Sequence, residues 1–343
     1  MLCFGAKGQP DSKNKMQKRR KIIYSFAQTA IGMIAIPGLL KAQTAADKPV
    51  RIVVPYPPGA GTDAVARLLA LKLADLMGQP VVVENRTGAG GAVGARYVMD
   101  ALPDGKTLLL AAAPFTTVPA AITSAGYDPV GQFAPVGMIA SGPLVWAANK
   151  DLPAATLREL VALARAQPGA LNYGSGGAGG INHLLLEMLK TRTGSFITHI
   201  PYRGVAPAIL DMMSGQIQLV TGTLPALIPF IKDDRVKALA VSSARRSPAL
   251  PDVLGMAESG FANFDVLNYF GLMAPKATSV AVLDRLHAAL AAAVLLADVR
   301  ARFALDGLEP ASLSRAQWAA FVQKDLQDWR QVVVAQGLNI LAD

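Results

Sequence analysis

The sequence predicts an α/β protein built as two lobes, and three features carry that expectation. From residue 49 onward, short apolar runs alternate with helical periods, the pattern of a parallel, doubly wound sheet. The alternation comes as two series, parted by the apolar run 144–148 (LVWAA). The chain then ends in helical periods with no new strand series, so its end is expected to pack back on the first unit. Residues 47–148 with 267–343 are assigned to one lobe and 149–266 to the other, with crossings near 143–149 and 266–272.

The elements follow in order. Residues 50–54 (VRIVV) read as a buried strand, because β-branched residues run on without polar alternation. After the loop PYPPGAGT, Val65, Leu69, Leu73 and Leu76 fall on one helical face. Strands are expected at 81–83 and 107–112, with a helix at 95–101 between them. In the second series, Leu157, Leu160, Val161 and Ala164 mark a helix. Strands follow at 171–173, 197–202, 217–221 and 236–241, with a helix running through Ile209 and Met213. After 270–273 the chain turns helical: Val282, Leu286, Leu290 and Val294 share one face, and Trp318, Phe321, Val322, Leu326 and Trp329 share another.

Composition narrows the class. The 343 residues are 52% hydrophobic and 17% charged, enough apolar matter for sizeable cores and too little charge for disorder. The net charge of +9 suggests nucleic acid until it is located. Residues 1–46 hold eight Lys or Arg and one Asp, leaving 25 basic against 23 acidic residues downstream. The body is nearly neutral, so no nucleic-acid partner is expected. The leader itself has a cationic run at 15–21 (KMQKRRK), an apolar stretch at 22–40 broken by Pro37 and Gly38, and small residues at 41–46. That order is a secretory signal, with cleavage expected between Ala42 and Ala46 and a periplasmic mature protein. The alternative is an uncleaved anchor, since the apolar stretch approaches the ~20 residues of a membrane span. Ser25, Gln28 and the Pro-Gly break favour cleavage. Met16 is an alternative start, and Arg19-Arg20 is a weak match to a twin-arginine signal. The single cysteine, Cys3, precedes the apolar stretch and leaves with it, so no disulfide or thiolate metal site is expected. No later segment reaches spanning length without polar interruption.

Three loops can carry chemistry. Residues 55–63 (PYPPGAGTD), including Tyr56, Pro57, Gly59, Gly61, Thr62 and Asp63, join a strand to the helix it feeds. Open α/β sheets bind ligands at such carboxyl ends, and a helix start offers free N–H groups and partial positive charge to an anion. Asp63 is either a helix cap or an acceptor for a ligand amine or hydroxyl. Residues 85–91 (NRTGAGG), with Thr87, Gly88, Ala89, Gly90 and Gly91, repeat the arrangement; Arg86 either adds charge or is paired within the fold. Residues 174–180 (GSGGAGG) open a helix in the second series and include Ser175. They are not a nucleophile elbow, because Tyr173 stands where glycine is needed. The chain has only three histidines, His183, His199 and His287, so neither a triad nor a metal site is expected. His183 is read as helix-start packing or a ligand-side group. Arg203, in Pro-Tyr-Arg-Gly, either clamps a carboxylate or pairs within its lobe.

One pattern misleads. Gly59, Gly61 and Ala64 satisfy G-x-G-x-x-A after a strand, and Glu84 ends the next strand where a ribose-binding acid would stand. Three prolines within 55–58 stretch a turn that a dinucleotide fold needs tight, and a second glycine-rich loop has no place in that fingerprint. No cofactor is expected.

The motifs PYPPGAGTD, VVVENRTGAGGAVGA, LPDGKTLL, LNYGSGGAGGINHL, HIPYRG, GQIQLV and DVRARFALDGLEP…FVQKDLQDWRQVV, in order over residues 48–340, resemble the Bug-type receptors of tripartite tricarboxylate transporters. The resemblance implies a type II periplasmic binding protein fold, two α/β lobes with a ligand cleft between them. It implies a non-enzymatic receptor, expected as a monomer, that takes a small organic acid and docks on the membrane permease subunits of such a transporter. It also implies that the loops at 56–63 and 87–91 cradle the ligand through backbone N–H groups, with Ser175, His183, Arg203 and Tyr269 as further candidates. The family commonly has glycine where Ala60 stands and often Trp-Tyr where this chain has Asn268-Tyr269. An exported enzyme using the same cleft, or a ligand-sensing accessory of a signalling system, are the alternative classes.

Overall fold

The computed structural model describes residues 48–311, 313–335 and 337. The expected leader, 1–46, and its cleavage site lie outside the described residues.

Strand β1 (Val50–Val54) lies next to the edge of the first sheet, parallel to the edge strand β2 (Val81–Asn85) on one side and β3 (Thr107–Ala112) on the other. Helix α1 (Gly61–Met77) joins β1 to β2, and α2 (Ala92–Met99) joins β2 to β3. Val65, Leu69 and Leu73 of α1 are buried as their spacing predicts. Leu76 departs from that face and is 46% exposed, because the helix ends one residue later at Met77, before Gly78 in a left-handed turn. Beyond β3 lies α3 (Pro114–Ala121), which the sequence reading did not anticipate. It carries Pro119, whose missing N–H leaves the Phe115 carbonyl without its helical donor. The Tyr127 hydroxyl donates to that carbonyl at 3.0 Å instead.

The run at 144–148 proves to be half of a longer strand, β4 (Phe133–Asn149). Its first part pairs antiparallel with β9 (Leu267–Pro275), ending at Pro143 opposite Leu267. From Leu144 onward it pairs with β7 (Leu219–Thr223) and β8 (Val236–Val241) in a second sheet. That sheet continues from β7 to β5 (Asn172–Ser175) and β6 (Thr198–Pro201), both parallel. Helices α4 (Leu157–Ala166), α5 (Ile181–Thr193), α6 (Val205–Met213) and α7 (Leu224–Lys232) connect its strands. Ser242 ties the two crossings together: the Leu144 N–H donates to its Oγ at 2.8 Å, and that hydroxyl donates to the Val266 carbonyl at 2.5 Å.

The chain end returns to the first sheet. Helix α8 (Val280–Leu295) packs Leu283, Leu286, Leu290 and Val294 into the core shared by β1, β3 and α1, with Val282 half-buried. After α9 (Ala297–Leu305) and the short strand β10 (Glu309–Pro310) on β4, helix α10 (Arg315–Ala335) lays Trp318 across Gly271 of β9. The Trp318 indole donates to the Leu272 carbonyl at 3.3 Å. Among the described residues no single helix is long and apolar enough to cross a membrane.

Candidate functional site

At the carboxyl ends of the parallel strands, loops from the two sheets meet around a cavity. The first sheet contributes Tyr56 with Ala60, Gly61 and Thr62 from the start of α1, Gly90, and Ala112 with Pro114. The second contributes Gly176, then Gly180, Ile181 and Asn182 from the start of α5, Val205 of α6, and Thr223 before α7. Leu144 and Asn268 floor it where the strands cross. A wider groove of about 960 Å³ lies between residues 243–248 and α9, but it takes in none of the glycine-rich loops.

The chemistry of the cavity is set by helix starts. Four helices, α1, α5, α6 and α7, begin on its wall, and none of the four has a side-chain cap hydrogen bond at its N-terminus. Each first turn leaves N–H groups without helical acceptors and carries about half a positive charge. None of the lining residues is ionisable as an acid or base near neutral pH, and burial pushes the Tyr56 phenol far above its ordinary value. Such a site attracts an anion by backbone dipoles and gives it no side-chain cation to pair with.

Close contacts between the sheets explain why small residues stand here. A Cβ on Gly61 would strike Thr223 Oγ1. Gly90 has φ +63°, and a Cβ there would lie 2.9 Å from Val118 Cγ2 and 3.2 Å from the Ala178 carbonyl oxygen. Gly204 lies against Pro57 in the same way.

The residues singled out from sequence fall into three groups. Tyr56, Gly61, Thr62 and Gly90 line the cavity. A second group shapes the loops from behind. Asp63 Oδ2 accepts from the Gly59 N–H at 3.1 Å and from Arg67 Nε at 2.9 Å, and Oδ1 accepts from Asn85 Nδ2 at 2.9 Å. Asn85 also donates to the Tyr56 carbonyl at 3.0 Å, so the pair latches the first loop to the end of β2. Burial alone would raise the Asp63 carboxyl, but the hydrogen bonds from Arg67, Asn85 and Gly59 outweigh it and hold it below the usual carboxylate range. The helix cap is Ala60, not Asp63. Gly91 faces the Tyr56 hydroxyl, and Gly88 faces Val93. Ser175 Oγ bonds across its own turn to Gly177 and meets His199 Nε2 at 2.7 Å. His183 Nδ1 accepts from the Gly179 N–H at 3.1 Å, so this histidine holds the loop rather than facing the cavity. A third group sits elsewhere: Thr87, Ala89 and Arg203 are exposed. Tyr269 is core, its hydroxyl 2.8 Å from Thr116 Oγ1 and its ring edge-on to Trp318 and Phe321. Arg86 pairs with Glu84 and lies 3.5 Å over the Tyr97 ring. Among the described residues, no three His, Cys, Asp or Glu side chains are grouped to hold a metal ion.

Sequence reasoning missed Thr223, Asn182 and Val205 as site residues, while Asn268, noted only as a departure from the family pattern, lines the cavity. The signal for these three was present, since each stands at or beside a helix start after a strand of the second series. Thr223 was hidden because α7 carries two prolines and was not read as a helix.

The two sheets share the long strand β4, and helix N-termini from both converge on the cavity where they meet. The tripartite tricarboxylate transporter family receptor model matches residues 65–338, and the chain belongs to that family. Protein BugT of Bordetella pertussis is 35% identical over 327 residues, covering 95% of this chain and 99% of BugT. The structure of the periplasmic binding protein BugD superposes with a TM-score of 0.82 at 34% identity, covering 84% of this chain and 98% of BugD. Rpa4515 of R. palustris, solved with adipate, has a TM-score of 0.82 at 32% identity, covering 85% of this chain and 97% of its own.

Proposed function

We propose that this protein is an exported receptor that captures a small carboxylate-bearing solute and delivers it to the permease subunits of a tripartite tricarboxylate-type transporter. The observation that carries the reading is the convergence of four helix N-termini without side-chain caps on one cavity without charged side chains. Hydrogen bonds to a charged acceptor are worth roughly 1.5–3 kcal/mol each. Two or three of them account for much of a micromolar affinity, about −8 kcal/mol, after association costs. The adipate bound by the R. palustris relative fits the same chemistry. Binding closes the lobe of residues 47–148 and 267–343 on that of 149–266, about the crossings that Ser242 ties together, and the closed face is what a permease reads. The role is capture without chemical conversion, by a monomer in the periplasm after loss of the leader.

The test is calorimetric titration of purified mature protein with short mono- and dicarboxylates, preceded by native mass spectrometry of whatever it carries from the cell. Micromolar binding of a carboxylate, abolished by masking the acid as its methyl ester, is expected. Equal binding of acid and ester, or binding of NAD in preference to any acid, would remove the reading.

A further inference from the structure

The groove between residues 243–248 and α9 is distinct from the cavity, although the crossing strands border both. Pro143 and Leu267 line the groove, and the next residues, Leu144 and Asn268, line the cavity. One side of the groove is the loop that follows β8, and the other is α9 with residues 307–310. Its volume of about 960 Å³ stands at the upper end of small-molecule pockets, so a lone anion would leave most of it open. Ala297, Ala301 and Ala304 turn one exposed face of α9 to the groove, while Val299 and Phe303 on the opposite face are fully buried. Leu267 adds to this apolar surface and is 47% exposed.

The lining carries three arginines and two acids. Arg246 is satisfied: its Nε reaches both Glu258 carboxylate oxygens, at 3.1 and 3.0 Å, and its Nη1 donates to the Pro251 carbonyl at 2.9 Å. Asp265 Oδ1 accepts from the Ala244 N–H at 3.0 Å. The side chains of Arg245, Arg300 and Glu309 have no ionic or hydrogen-bond partner among the described residues, which leaves two free cations against one free acid. Both cations stand on fixed supports, one on each side of the groove. The turn bearing Arg245 is held by the Asp265 bond, by Ser243 Oγ donating to the Arg245 carbonyl at 2.7 Å, and by the Ala257 N–H donating to the Ala244 carbonyl at 3.2 Å. Arg300 rides on α9, which Val299 and Phe303 anchor in the core. An apolar floor with arginines at its rim is the anatomy of a protein interface, and rigid supports lower the ordering cost of binding.

From this we infer that the groove is an interaction surface for an acidic peptide segment of another protein. Its carboxylates pair with Arg245 and Arg300 from the two sides, and its apolar side chains lie on the alanine face of α9 and on Leu267. The charge balance selects an acidic segment over a basic one, and the long apolar floor selects a peptide over an isolated anion. The surface owes nothing to the solute in the cavity, so it stands or falls apart from the carboxylate-receptor reading.

The experiment pans a random dodecapeptide display library on the wild-type protein, with the double variant Arg245→Glu, Arg300→Glu in solution as competitor. Neither arginine side chain has a partner to lose, so the double variant is expected to melt as wild type does. Recovered sequences are made as labelled peptides and titrated by fluorescence anisotropy into wild type, the double variant and Ala301→Trp, which fills the groove without changing its charge. The peptides are expected to carry more acids than bases, to weaken as salt rises, and to lose at least about tenfold in affinity in either variant. Recovery of no peptide, of peptides without an acidic excess, or of peptides that bind all three proteins alike would overturn the inference. So would sedimentation with phosphatidylglycerol vesicles through the same arginines in place of peptide binding, which would give the groove to a membrane surface. Carboxylate binding in the cavity, measured by calorimetry on the double variant, is expected to match wild type, so failure at the groove leaves the receptor reading intact.

Discussion

His183 and His199 lie face to face, their ring centroids 3.9 Å apart and their planes 9° from parallel, with Tyr173 stacked on His199 at 4.8 Å. The pair sits behind the loop whose Gly176 and Gly180 line the cavity. Burial first, then the neighbouring His199 and Lys190, pull His183 down to about 3 from its ordinary 6.5. The folded state therefore keeps His183 neutral while the unfolded chain protonates it below about pH 6.5. The unfolded state binds more protons in that window, so stability falls as pH drops from 6.5 toward 3, at no more than about 1.4 kcal/mol per pH unit from this group. Thermal melts from pH 7.5 to 4.5 are expected to show a falling midpoint. His183→Gln should be less stable at neutral pH yet show a flatter profile; an unchanged slope would assign the acid loss elsewhere.

Asp325 on α10 has the opposite sign. Burial raises its carboxyl from 3.8 to about 6, against hydrogen bonds from Thr116 and Trp329 that lower it. The folded state binds the extra proton between pH 3.8 and 6, so this group costs stability as pH rises through that window, and the cost is complete above it. Asp325→Asn keeps the shape and removes the charge. It is expected to gain about 1–3 kcal/mol at pH 8 and little at pH 4 in denaturant titrations.

Gly61 tests a close contact at the cavity wall. Its added Cβ would run into Thr223 Oγ1, while α1 itself tolerates alanine in its first turn. Gly61→Ala is expected to weaken ligand binding by at least about tenfold with a melting temperature of the free protein near wild type. Equal affinity in calorimetry would mean that Thr223 moves aside without loss.

Gly90 and Arg86 separate backbone recognition from side-chain charge. Gly90→Val places a branched side chain at φ +63° and into Val118 and the Ala178 carbonyl, so binding should be lost. Arg86 is engaged with Glu84 and Tyr97 away from the cavity, so Arg86→Ala should leave affinity within about twofold and cost at most about 1 kcal/mol of stability. The reverse order of effects, in folded variants, would place the anion at Arg86.

Asp63→Ala tests the latch. It strips acceptors from Gly59, Arg67 and Asn85, of which Gly59 and Arg67 are exposed and Asn85 half-buried. A loss of roughly 2–3 kcal/mol in stability is expected, with weaker binding of every ligand in proportion rather than a change in preference. Selective loss of amine- or hydroxyl-bearing ligands would put Asp63 in direct contact with the solute.

Much of the fold was legible in the sequence alone. The strands at 50–54, 107–112 and 236–241 have the bounds read from their apolar runs, and Leu157, Leu160, Val161 and Ala164 all face inward. Strands covered on both faces are apolar throughout and helices repeat every 3.6 residues, so burial writes itself into local pattern. The glycine-rich turns were legible too, as places where backbone approaches backbone. Helices α3 and α7 were not, because prolines inside them contradict local propensity and only tertiary packing holds them. The first half of β4 was hidden by Pro135, Gly137 and Gly142 at its bulges and bends. Asp63 was left between cap and ligand contact; its place was decided by Asn85, twenty-two positions along, whose amide occupies the carboxylate. Local periodicity records which face of an element is buried. It does not record which helix starts converge, or that Thr223 and Asn268 keep unmet donors on the wall of one cavity. Those relations arise when two sheets close on each other, between residues up to two hundred positions apart, and only the tertiary structure decided them.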